Sequence, residues 1–152
     1  MPTTNDWILL KSEQAKKTGL RATGFITYKL LTRPPRLDIW IIVSSNDGSG
    51  YFSKEMVPFS EIRKCLPQTG NDKPFPAKVF NAAYIGKSSN NAGFLATILR
   101  AEGLLVPSGE FGQLHLATST WDKWLKQALD QTGNDYAPES MEIRTSSTKQ
   151  IS

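Results

Sequence analysis

A chain of 152 residues, 39% of them hydrophobic, is long enough to bury a core without a disulfide or a metal as a staple. The single cysteine, Cys65, excludes an intramolecular disulfide framework, and the longest apolar run, Ile39 to Val43, is far too short to cross a bilayer. A net charge of +4 allows a polyanionic partner without demanding one.

That charge is unevenly spread. Residues 1–70 hold ten Lys/Arg against six Asp/Glu, whereas residues 71–132 hold six against five. The N-terminus, Met1 to Asp6, has no basic segment leading into an apolar stretch, so a cytoplasmic location without a membrane partner is expected.

In chain order, the first half reads as strands. Trp7-Ile8-Leu9-Leu10 is a short candidate. Phe25 to Leu30 alternates, with Phe25, Thr27 and Lys29 on one face and Ile26, Tyr28 and Leu30 on the other. Leu37 to Val43 is nearly continuous in apolar residues, as a central strand is, and Gly50 to Val57 reads as a further strand. Arg33-Pro34-Pro35-Arg36 and Ser44 to Gly50 are the turns between them, because proline donates no N–H to a ladder. An antiparallel β-meander over residues 7–57 follows.

The second half changes period. A short helix is expected from Ser60, as its cap, to Leu66, and a second over Pro76 to Ile85. A third runs from about Asn90 to Glu102, capped by Ser89, with Phe94, Leu95, Ile98 and Leu99 on its apolar side. Gly103 ends it where a left-handed residue is needed. Leu104 to Val106 and Gln113 to Ala117 then read as a hairpin, and residues 119–131 as a terminal helix carrying Trp121, Trp124, Leu125 and Leu129 on one side. The expected fold is a single α+β domain over 1–132, with 133–152 as a polar disordered tail.

The order helix, helix, turn, helix, hairpin in residues 59–117 resembles winged helix-turn-helix domains. The resemblance implies DNA binding, with the third helix in the major groove and the hairpin against the backbone. Lys87, Ser88, Ser89, Asn90 and Asn91 at its tip then contact DNA, since a helix N-terminus receives phosphate and asparagine pairs with adenine. Lys16, Lys17, Arg21, Arg33 and Arg36 supply further cations from the N-terminal half. The chain departs from the family pattern in that the third helix has only Arg100 and the hairpin tip offers Glu110 with no cation.

Other readings stay open. Tyr28, Trp40, Tyr51 and Phe52 beside these cations suit single-stranded nucleic acid, although duplex DNA is favoured. The sheet edge or the Trp121/Trp124 helix could dock a protein partner, and the sheet could serve dimerisation. No nucleophile set, phosphate loop or metal-ligand spacing is present, so no catalytic residue, metal or cofactor is expected. The one catalytic alternative is a metal-dependent nuclease built on Asp38, Lys54 and Glu55. Cys65 reads as a packing thiol, and the lone His115 as an exposed residue of the wing.

Overall fold

The computed structural model describes residues 6–17, 24–46, 54–67, 73–86, 90–110 and 112–137. The fold is mixed α+β, with an N-terminal antiparallel sheet followed by helices. Strands β1 (Ile8–Lys16), β2 (Phe25–Thr32), β3 (Trp40–Asn46) and β4 (Val57–Pro58) form the meander. After helix α1 (Phe59–Lys64) comes a 3-10 segment, Ala77–Ala83, and then helix α2 (Asn91–Ala101). The hairpin β5 (Leu105–Ser108) and β6 (Leu114–Ala117) leads to helix α3 (Trp121–Leu129) and the two-residue strand β7 (Asn134–Asp135). The main sheet has the order β4-β3-β2-β1-β7.

Alternation along β2 sorts the two faces. Ile26, Tyr28 and Leu30 are buried with Ile41, Val43 and Val57 in one cluster with Phe59, Ile62, Phe80, Leu95, Ile98 and Leu99. Trp121 of α3 belongs to the same cluster, so all four described helical segments lie on that side. The central position of α2 follows from its composition: Ala92, Leu95, Ala96, Thr97, Ile98 and Leu99 are all buried, so apolar residues surround most of the helix rather than one stripe.

Several expectations shift in detail. The third strand begins at Trp40 and not Leu37, which is 76% exposed. Of the strand expected over Gly50 to Val57, residues 50–53 lie outside the described residues and only Val57 joins the sheet. The helix expected over Pro76 to Ile85 is a 3-10 helix of seven residues. Ser60 does not cap α1 from its own side chain. Instead Asp38, from the loop before β3, accepts from the Ser60 backbone N–H at 3.2 Å and the Ser60 hydroxyl at 2.7 Å. The proposed cap of α2, Ser89, lies outside the described residues.

The far end of the chain returns to the sheet. Asn134 and Asp135 pair with Leu9 and Ile8, and the Tyr136 N–H donates to the Trp7 carbonyl at 3.0 Å. Gly133 makes this return possible, since its φ is +73° and an added Cβ would lie 2.5 Å from Cγ2 of Ile8. Residues 138–152 lie outside the described part. No helix among the described residues is long and apolar enough to cross a membrane.

Candidate nucleic-acid interface

With every described helix on one side, the other face of the sheet is built from the odd-numbered residues of β2 and their partners. Register places Lys16 opposite Phe25, Gln14 opposite Thr27, Ser12 and Ile42 opposite Lys29, and Leu9 and Trp40 opposite Leu31. None of these positions is a carboxylate. Glu13 pairs with Tyr28, and Asp135 with Ile8, both on the opposite side of the sheet.

Three cations and four aromatic rings share this face. The Arg33 guanidinium sits 4.7 Å above the Trp7 ring, which meets Trp40 edge-on at 5.1 Å. Lys29 lies 4.8 Å from the Tyr136 ring and donates to its hydroxyl at 3.1 Å. Lys16 is exposed beside Phe25, a residue 44% exposed. Leu31 and Ile42 are fully buried between these groups in the register. Arg33 and Lys29 are thus seated on aromatic rings, whose quadrupoles hold a cation without neutralising its charge.

The other sequence-predicted residues fall elsewhere. Arg36 is not an exposed cation. It adopts a φ of 61° and donates to the carbonyls of Leu129 at 3.0 Å, Gln131 at 2.8 Å and Thr132 at 3.0 Å, closing the end of α3. Lys17 points to the helix side, 5.7 Å from the Phe94 ring. Asn91 is buried, with its Nδ2 unpartnered, so its amide does not reach outward. Asn90, at the N-terminal end of α2, is half-buried. Lys87, Ser88, Ser89 and Arg21 lie outside the described residues, as do Tyr51 and Phe52. Tyr28, counted among the stacking aromatics, faces the core instead.

His115 is buried and not exposed. Alternation does turn it away from Leu114 and Leu116, but the side it turns to is covered. Phe75 bridges to it with backbone bonds of 2.9 and 2.8 Å. Its Nδ1 accepts from Nε of Arg100 at 3.0 Å, and Arg100 also binds the carbonyls of Gly112 and Leu114. Burial, and then the Arg100 charge, pull the imidazole pKa down to about 4. Arg100 is therefore occupied by the β5–β6 hairpin, leaving α2 no cation for DNA.

The residues of the nuclease alternative also have other work. Asp38 caps α1, and Glu55 accepts from the N–H groups of Ile85 at 2.7 Å and Gly86 at 2.9 Å. Cys65 is half-buried and donates to the Glu61 carbonyl, and burial followed by the Glu61 charge pushes its thiol pKa up. The tryptophans of α3 turn inward. Trp121 stacks on Phe59 at 5.3 Å and donates to the Leu104 carbonyl, while Trp124 donates to Glu102. The docking surface expected there is occupied by the chain's own core.

One edge is open. Strand β7 pairs only with Ile8 and Leu9, so among the described residues no strand lies beside the rest of β1 on that side.

A scan of protein-family models and searches of curated proteins and of solved structures find no match to this chain.

Proposed function

We propose that this chain is a non-enzymatic DNA-binding protein whose contact surface is the face of the sheet opposite the described helices, suited to single-stranded DNA. The observation that carries the reading is the sorting of charge across the sheet. Lys16, Lys29 and Arg33 share one face with Phe25, Trp7 and Trp40, while Glu13 and Asp135 pair on the other. Cations attract the phosphate backbone and release counterions, and Phe25, the exposed aromatic of this face, offers apolar surface on which a base can stack.

The order α1, Phe75 bridge, 3-10 segment, α2, hairpin supports a winged-helix-like arrangement of residues 59–117. Burial argues against α2 as a groove reader, however. Within α2 only Gly93 and Ala101 are exposed, and neither carries a side chain able to hydrogen-bond a base.

Fluorescence anisotropy with labelled single-stranded and duplex DNA at two salt concentrations tests the reading. Binding of the single strand is expected to fall with salt and to weaken in Lys16→Ala, Lys29→Ala and Phe25→Ala. A stacked base is worth about 1–3 kcal/mol, so Phe25→Ala alone should cost roughly fivefold or more. Duplex binding weakened by Lys87→Ala or Asn90→Ala, with the sheet variants unaffected, would move the contact to the tip of α2. Absence of binding to either form would overturn the reading in favour of a protein-docking accessory role.

A further inference from the structure

Between β1 and α3 lies a cavity of about 300 Å³, on the opposite side of the sheet from the surface just described. Its existence traces to one irregularity. The β1–β2 register skips Leu10, so Leu10 and Lys11, consecutive in sequence, both line the cavity. Bulges of this kind re-aim a side chain and disrupt pairing locally, and they are over-represented beside binding sites.

Glu102, at the end of α2, supplies the polar wall. Its side chain is only 5% exposed, yet three donors from three elements converge on it. The Tyr28 hydroxyl donates from β2, the Trp124 indole N–H from α3 at 3.0 Å, and the Lys11 ammonium from β1 at 2.9 Å. The carboxylate is thereby held in one orientation. Lys11, whose side chain is 40% exposed, keeps donor protons beyond the one given to Glu102. Leu30 and Ala128 make the apolar wall, and the primary amides of Gln127 and Gln131 stand with them. The rim is anchored independently, because Arg36 binds the carbonyls at the end of α3.

An acceptor and a donor side by side, of opposite charge and together neutral, match a neutral group with an adjacent donor and acceptor. Amides, ureas and nucleobase edges have that pattern; a lone ammonium or carboxylate would meet one like charge. Leu10, Leu30 and Ala128 give the lining apolar surface against which a ring can pack. We propose that the Glu102–Lys11 cavity binds a small planar heterocycle with a lactam or amidine edge, of the nucleobase class.

The test titrates the intact chain with free uracil, cytosine and adenine while following the Trp124 indole N–H by NMR. Free bases separate this site from any binding of strands to the open sheet face, and failure of either leaves the other standing. A saturable shift with a midpoint below about 1 mM is expected for at least one base. Ala128→Leu, which fills the cavity, should abolish it. Lys11→Met keeps the apolar stem, removes the donor, and should weaken binding roughly tenfold or more. Should Ala128→Leu fail to fold, Lys11→Met alone decides. No saturable shift up to about 10 mM would overturn the proposal. So would variants that bind like the wild type, or equal binding of toluene, which has no polar edge.

Discussion

Arg100 on α2 and His115 on β6 are joined by a hydrogen bond of 3.0 Å in which the guanidinium donates to a neutral imidazole. The bond exists only while Nδ1 is unprotonated, because imidazolium has no free acceptor. With two further bonds from Arg100 to Gly112 and Leu114, it ties the hairpin to the central helix.

A pH dependence of stability follows. The folded imidazole pKa is held down to about 4, while the unfolded chain keeps an ordinary value near 6.5. The unfolded state therefore takes up protons first. This contribution is complete above about pH 6.5 and is lost progressively as pH falls towards 4, up to on the order of 3 kcal/mol. Urea unfolding at pH 7, 5.5 and 4.5 should show a falling midpoint. His115→Gln, which keeps an acceptor for Arg100, should flatten that slope.

Arg36 is expected to act on stability and not on DNA. Its guanidinium satisfies three carbonyls at and beyond the end of α3, groups that have no partner within the helix. Arg36→Ala should lower stability by about 1–3 kcal/mol, and Arg36→Lys should restore little because one ammonium cannot span the three acceptors. Thermal unfolding measures the first effect. Unchanged stability in Arg36→Ala would return this residue to the pool of free cations.

Asp38 is expected to behave as a helix cap. Removing its carboxylate leaves the Ser60 N–H and hydroxyl without the acceptor they share, so Asp38→Ala should cost about 1–2 kcal/mol. Asp38→Asn should recover most of it, since one amide oxygen still accepts. Chemical denaturation separates the two variants. Magnesium-dependent DNA cleavage that vanished in a folded Asp38→Asn would instead favour the nuclease role.

Gly133 is expected to tolerate no side chain. A Cβ there would meet Cγ2 of Ile8 at 2.5 Å and the Leu9 carbonyl at 2.9 Å, on a backbone with φ of +73°. Gly133→Ala should destabilise by roughly 1–3 kcal/mol. Loss of β7 pairing should appear as faster hydrogen exchange at the backbone N–H groups of Ile8, Leu9 and Tyr136.

Local chemistry wrote much of this fold into the chain. Period-two alternation marked β2, the apolar stretch marked β3, and Gly103, with φ of +81°, marked the end of α2, because each signal depends only on neighbours within a few residues. The hairpin and the inward side of α3 were legible for the same reason. What the chain did with isolated polar residues was not. Asp38 reaches Ser60 across 22 positions, Glu102 gathers Tyr28 from 74 positions away, and Arg36 closes a helix more than 90 residues later. In sequence each is a lone charge with a solvated surface as the simplest reading.

The site divides along the same line. The cations Lys16 and Arg33 were visible as residues, as was the aromatic Trp40, but which of them share a face depended on strand register and on where the helices settled. Alternation already set Phe25 and Lys29 on one face, whereas Trp7 and Tyr136 joined it only through the register and the return of β7. The Glu102–Lys11 cavity had no sequence signal, because a bulge arises from the mismatch between two strands and belongs to neither alone. Backbone propensity and side-chain periodicity are properties of a segment, whereas charge pairing, burial and cavities are properties of the contacts between segments. The chain by itself determined the elements and their polarity. Tertiary packing decided which polar residues became scaffolding and which stayed at the surface.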